Sequence, residues 1–128
     1  PETEIIEVLG RSIRMDASVG VARKSFKELC QEALGAADYL AIASRYHTLL
    51  LEGVRCMSES NESEARRFVN LIDALYEAKV KLICSADAKP QGLYLRGHGI
   101  FEFDRLVSRL MEMQSTEYLS LPHMSESK

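Results

Sequence analysis

A chain of 128 residues, 46% hydrophobic and 27% charged with a net charge of −3, has the makeup of one ordinary globular domain able to bury a core. That balance gives no long-range attraction to nucleic acid or to an anionic membrane, and no apolar run approaches the length that crosses a bilayer. The three cysteines, Cys30, Cys56 and Cys84, are odd in number and lack metal-ligand spacing, so they read as free thiols in a reducing compartment. The chain opens at Pro1 without a Met, as a piece of a longer protein would, and the lack of a leader then says nothing about localisation.

Residues 8–15 and 19–26 are short strand candidates joined through Asp16–Ser18 with Gly20 nearby, which predicts a β-hairpin. Within it, "SVGVARKS" ends in Lys24-Ser25 and invites comparison with a phosphate-binding loop. The required glycines would fall at Ser18 and Arg23, so the comparison fails. A short helix is expected over Lys27–Ala33, ending before Gly35, and a second over "AADYLAIASRY". Leu49–Leu51 form a compact apolar run bounded by Gly53, the pattern of a strand buried on both faces.

In "SNESEARRFVNLIDALYEAKV", Asn61 and Glu64 have capping-box spacing. Ala65, Phe68, Val69, Ile72, Leu75 and Tyr76 follow with the period of an amphipathic helix. "VKLICSA" is a second apolar strand, and strand–helix–strand at this spacing predicts a right-handed βαβ unit with parallel strands. After Pro90 and "RGHG", Phe103, Leu106, Val107, Leu110 and Met113 mark the inner face of a last helix. The expected fold is therefore α/β, a β-hairpin plus a parallel βαβ unit flanked by amphipathic helices. One domain spans 1–120, and 121–128 is expected to be a flexible tail.

Few residues suggest chemistry. Glu52, at the end of an apolar strand, lacks the neighbouring Asp that a Mg²⁺-binding pair would need, and reads as a solvated strand end. Arg66 and Arg67 open the long helix within reach of Glu62 and Glu64, although adjacent guanidinium groups point in different directions and suit anions. Arg105 and Arg109 lie one turn apart on the last helix and repel unless an anion lies between them. Glu102 and Glu112 could supply that charge, and so could a phosphate or a partner's carboxylate. His47, His98 and His123 have no partner at catalytic or ligand spacing, and no nucleophile elbow appears. On its own residues the segment carries no catalytic site and no metal site.

Three strings, "LGAADYLAIASRYHTLLLEGV", "EARRFVNLIDALYEAKVKLICSA" and "FEFDRLVSRLMEMQSTEYL", resemble the C-terminal part of the ZapE-like ATPases. These are P-loop ATPases related to the AAA+ group, and the resemblance runs from about Gly10 to Leu119. Bacterial members act at the cell-division ring and eukaryotic ones in mitochondria. The phosphate-binding loop, the Mg²⁺-binding acidic pair and the sensor of that family lie in the preceding part of the chain, and none is found here. The resemblance thus implies a C-terminal fragment of a P-loop ATPase, with ATP and Mg²⁺ used by the full-length parent and no cofactor expected for the fragment alone.

It also implies Arg66, Arg67, Arg105 and Arg109 as candidates for nucleotide sensing or subunit contact. The partners implied are the upstream ATPase core, the division-ring machinery or another protein, and further copies in a homo-oligomer, with no nucleic acid and no membrane span. The location implied is the bacterial cytoplasm, or the mitochondrion in a eukaryote. The competing reading is a protein-interaction module with no nucleotide role.

Overall fold

The computed structural model describes residues 2–32, 34–94 and 100–124, with only the backbone of Glu59 and Ile100. Five strands form one sheet in sequence order: β1 (Glu2–Val8), β2 (Arg11–Ser18), β3 (Val21–Ser25), β4 (Thr48–Val54) and β5 (Lys81–Ala86). The β1–β2 and β2–β3 pairs are antiparallel, whereas β3–β4 and β4–β5 are parallel. The predicted βαβ unit is present as β4, α2 (Glu62–Glu77) and β5. A second parallel crossover, absent from the expected fold, joins β3 to β4 through α1 (Ala36–Arg45).

The hairpin is a three-stranded meander. Its turns lie at Leu9–Gly10 and Val19–Gly20, not at Asp16–Ser18, and residues 8–15 are divided between two strands. All four turn residues have positive φ (50°, 81°, 53° and 80°), the mirror-image geometry whose twist matches a hairpin. Such turns are usually announced by Asn-Gly or Asp-Gly. Here Leu and Val take the first place, so the local signal is hidden. The alternation along β2 decides the register: Ile13, Met15 and Ala17 are buried while Arg14 and Asp16 are exposed.

"ARKSF" is the end of β3 running into a π-helical turn, Lys27–Gln31. Ser25 and Glu28 cap it reciprocally: Glu28 N–H donates to Ser25 Oγ (3.1 Å) and Ser25 N–H donates to Glu28 Oε1 (3.2 Å). Lys24 is drawn to the same carboxylate at 3.3 Å. Burial acts to raise the pKa of Glu28, but the Ser25 hydrogen bonds and Lys24 outweigh it and leave the carboxyl below its usual range.

Leu49 and Leu51 of β4 are buried beneath the helices, but Leu50 is only half-buried and Ile83 on β5 is 62% exposed. The expectation of a strand covered on both faces is thus corrected. The core lies on one side of the sheet, and the other carries Arg14, Asp16, Arg23 and Glu52, with Arg23 Nε and Nη2 clasping Glu52 at 2.9 and 2.8 Å.

Over the core, α2 runs beside α1 and α3 (Ile100–Glu112), and α4 (Thr116–Leu119) follows. The apolar faces of α2 and α3 are those the periodicity predicted, with Leu71 and Ala74 added on α2. On α1, Tyr39 and Ala43 face inward with Tyr46 at its end, whereas Leu40, at the same helical spacing in the sequence, is exposed. Four rings connect the layers: Phe26 meets Phe68 edge-on at 5.6 Å, Phe68 meets Phe103 at 6.2 Å, and Tyr94 meets Phe103 at 5.2 Å. The predicted Asn61–Glu64 capping box is replaced by one a turn earlier, where Ser58 N–H donates to Asn61 Oδ1 at 3.1 Å. Glu64 is engaged elsewhere, receiving Arg55 Nη2 on both oxygens at 3.2 Å.

The predicted loop "RGHG", with His98, lies outside the described residues. Residues 121–124, in the expected tail, include two contacts with the body: His123 Nε2 lies 2.7 Å from Ala43 O, and Met124 N–H donates to Ala78 O at 2.9 Å.

Candidate functional site: the arginine groove between α2 and α3

Helices α2 and α3 bury their apolar faces side by side, which brings their polar margins together. A groove of about 390 Å³ opens along the seam, with Phe103 and Val69 as its floor. Arg66 and Asn70 rise on the α2 side, Glu102 and Arg105 on the α3 side, and Glu62 and Asp73 complete the lining. Three of the four candidate arginines therefore belong to one seam: Arg66 and Arg105 in the groove, and Arg109 one turn further along.

The anion that Arg105 and Arg109 require is supplied by the chain itself. Asp73 on α2 accepts from Arg105 Nη2 at 3.4 Å through Oδ2 and from Arg109 Nη1 through Oδ1. Arg109 also reaches Glu77 at 3.9 Å and lies over the Tyr76 ring at 4.8 Å. Tyr76 Oη in turn donates to Glu112 at 2.8 Å, and that bond is the main reason its phenol is pushed above the ordinary range. Arg109 is thus largely enclosed, with 24% of its side chain exposed, against 51% for Arg105.

Arg67 points the other way. Its Nη1 donates to Cys30 O at 3.1 Å and ties α2 to the π-helical turn. The Cys30 thiol beside it is fully buried, and burial is the chief cause of its strongly raised pKa. Arg66, by contrast, is exposed and has no hydrogen-bond or ion-pair partner among the described residues. Adjacent arginines do diverge, as their positions predicted, but the i,i+3 and i,i+4 pairings with Glu64 and Glu62 are not what hold them.

Asp73 is the residue that sequence reasoning missed. It follows inward-facing Ile72 at the rim of the apolar stripe, where a carboxylate can meet cations on a neighbouring helix. Which neighbour it would meet is tertiary information.

With two arginines against Glu62, Asp73 and Glu102, the groove is not a cationic basin that would draw free phosphate. The segment Ser18–Ser25 is turn and strand, and Lys24 is committed to Glu28, so these residues do not fit a nucleotide's phosphates. Among the described residues no three His, Cys, Asp or Glu side chains converge on a metal position. No helix there is long and apolar enough to cross a membrane.

These features define a mixed α/β domain, half antiparallel and half parallel, whose ordered polar seam joins two core helices. The chain belongs to the AFG1-like ATPase family, whose model matches residues 1–122. It is 42% identical over 113 residues to the Cell division protein ZapE of Escherichia coli K12, an alignment covering 85% of this chain and 30% of that protein. It is 33% identical to the Lactation elevated protein 1 homolog B of Danio rerio, covering 89% of this chain and 29% of that one. A Schizosaccharomyces pombe protein is 34% identical, with coverage of 91% and 32%. The chain spans about a third of the length of the curated relatives it matches. No solved structure matches it.

Proposed function

We propose that this region is the C-terminal domain of a longer P-loop ATPase that hydrolyses ATP with Mg²⁺ and remodels or regulates protein partners. A bacterial parent would act in the cytoplasm at the division ring, and a eukaryotic one in the mitochondrion. The domain's own part is contact: Arg66 reaches from the α2–α3 groove to the upstream core or to a neighbouring subunit and couples its nucleotide state to this fold. The carrying observation is the different state of the four arginines. Arg67 is bound to Cys30 O, Arg105 and Arg109 share Asp73, and Arg66 alone of the four is left exposed and unpartnered among the described residues. A guanidinium held ready on a rigid helix suits a phosphate or carboxylate that arrives with another element.

The test is ATP turnover of the full-length protein carrying Arg66→Ala. Turnover is expected to fall at least roughly tenfold with the fold intact, as for an arginine that stabilises transition-state charge. The near-neutral charge of the groove favours one second reading, a protein-docking module with no nucleotide role. Under that reading Arg66→Ala keeps full turnover and loses partner capture.

A further inference from the structure

Among the described residues, strand β5 ends the sheet without a neighbour on its outer side. Lys81 N–H donates to His47 O (2.9 Å) and Asp87 N–H donates to Val54 O (2.8 Å), which sets the phase of the ladder. Lys81, Ile83, Ser85 and Asp87 turn their backbone groups toward β4. The N–H and C=O groups of Leu82, Cys84 and Ala86 therefore point out of the sheet. The side chains of these three border an apolar groove of about 410 Å³, backed by Phe68, Leu110 and Met113.

Parallel sheets usually bury their strands, and exposed edges are usually blunted by charge or proline. The opposite edge, β1, carries Glu2, Glu4 and Glu7, whereas β5 has no charge between Lys81 and Asp87. Neither Lys81 nor Asp87 has an ion-pair partner among the described residues.

We propose that β5 pairs antiparallel with β5 of a second copy of this chain, about a two-fold axis through Cys84. Read outward from Cys84, "KLICSAD" is its own complement. In that register Leu82 faces the second copy's Ala86, Ile83 faces its Ser85, and Lys81 faces its Asp87. Backbone phase and register agree, because the residues that point outward, 82, 84 and 86, meet residues that also point outward and can exchange both hydrogen bonds. Each contact but that of Cys84 with its own copy occurs twice, as an isologous interface requires, so two Lys81–Asp87 pairs bracket the ladder. A ladder of seven residues a side is a small interface, and the association is concentration-dependent. This edge is remote in role from the Arg66 groove, and the two ideas stand or fall separately.

The test uses the full-length protein with Cys56→Ser, so that Cys84 is the exposed cysteine among those of this region. A short bis-maleimide is expected to join Cys84 to Cys84 with a yield that rises with protein concentration, while amide exchange at residues 82, 84 and 86 slows in parallel. Lys81→Asp and Asp87→Lys each replace two attractions by repulsions and should raise the concentration for half-maximal crosslinking roughly tenfold. The double variant Lys81→Asp/Asp87→Lys should return it to near the parent value. Three results overturn the proposal: no Cys84 crosslink at any concentration, slow exchange at these amides that does not depend on concentration (the edge is then covered by the protein's own chain), or a double variant as weak as the single ones.

Discussion

Gly20 and Gly10 occupy equivalent turn positions, with φ of +80° and +81°, yet their surroundings differ. A Cβ at Gly10 would meet nothing within 4 Å, whereas at Gly20 it would lie 2.5 Å from His47 Cδ2. His47 is itself engaged, with Nε2 3.1 Å from Val19 O and Nδ1 2.8 Å from Thr48 Oγ1. Gly10→Ala should therefore cost about 1 kcal/mol from backbone strain alone, and Gly20→Ala about 2 kcal/mol or more, as read by urea unfolding. Equal losses would show that the His47 contact carries no weight. Asp38 is a second singular residue, a fully buried carboxylate. It accepts Arg11 Nη2 on both oxygens at 2.7 and 2.8 Å and the Gly35 N–H at 2.8 Å, so one group caps α1 and ties it to β2. Asp38→Ala should lower stability by about 3 kcal/mol, by the same measurement, since it strands Arg11 and uncaps the helix.

Between elements, the α2–α3 seam combines an apolar floor with one shared carboxylate. Removing Asp73 leaves Arg105 and Arg109 one turn apart with their mutual repulsion uncompensated. These groups are partly exposed, which limits the effect. Asp73→Ala is expected to cost about 1–2 kcal/mol, while Glu102→Ala, at an exposed groove position, should stay within about 0.5 kcal/mol. Chemical unfolding of the two variants side by side decides it, and equal effects would mean that Asp73 does not organise the seam. The π-helical turn shows the same logic at smaller scale. Ser25 and Glu28 cap it from within, and Arg67 holds its Cys30 carbonyl from α2.

Across the whole molecule, the buried ionisable groups set a direction of pH dependence. Cys30, Tyr39, Tyr46 and Tyr118 all have pKa values raised in the fold, with burial the largest cause at each. Each keeps its proton more firmly when folded than when unfolded. Their contribution is fully present below the unfolded values and is lost as pH climbs past them toward the folded ones. The melting temperature should hold near neutrality and fall progressively above about pH 8.5, where the unfolded thiol and then the phenols ionise. Cys30→Ala should blunt the first part of that fall. A flat profile to pH 10 in the parent protein would show that these groups ionise as readily folded as unfolded. At the same scale, the helices cover one face of the sheet and leave Arg23, Glu52 and Ile83 on the other.

The amphipathic faces of α2 and α3 and the parallel pairing of β4 with β5 could be read from residue order alone, because a period of 3.6 reports which side a helix buries and two apolar runs flanking such a helix fit a crossover. The run Leu49–Leu51 did not report which faces of its strand are covered. The three strings that resemble the ATPase family were legible for a different reason, as they extend over whole elements. The turns at Leu9 and Val19 were not, since local preference opposes positive φ at both and only pairing with the neighbouring strands repays it. Nor was the fate of the arginines. Charge spacing along one helix restricts which residues can meet, but whether Arg105 and Arg109 face Glu102, Glu112 or Asp73 depends on the helix packed alongside. An ion pair between elements is a property of their docking, and docking is settled by the core beneath.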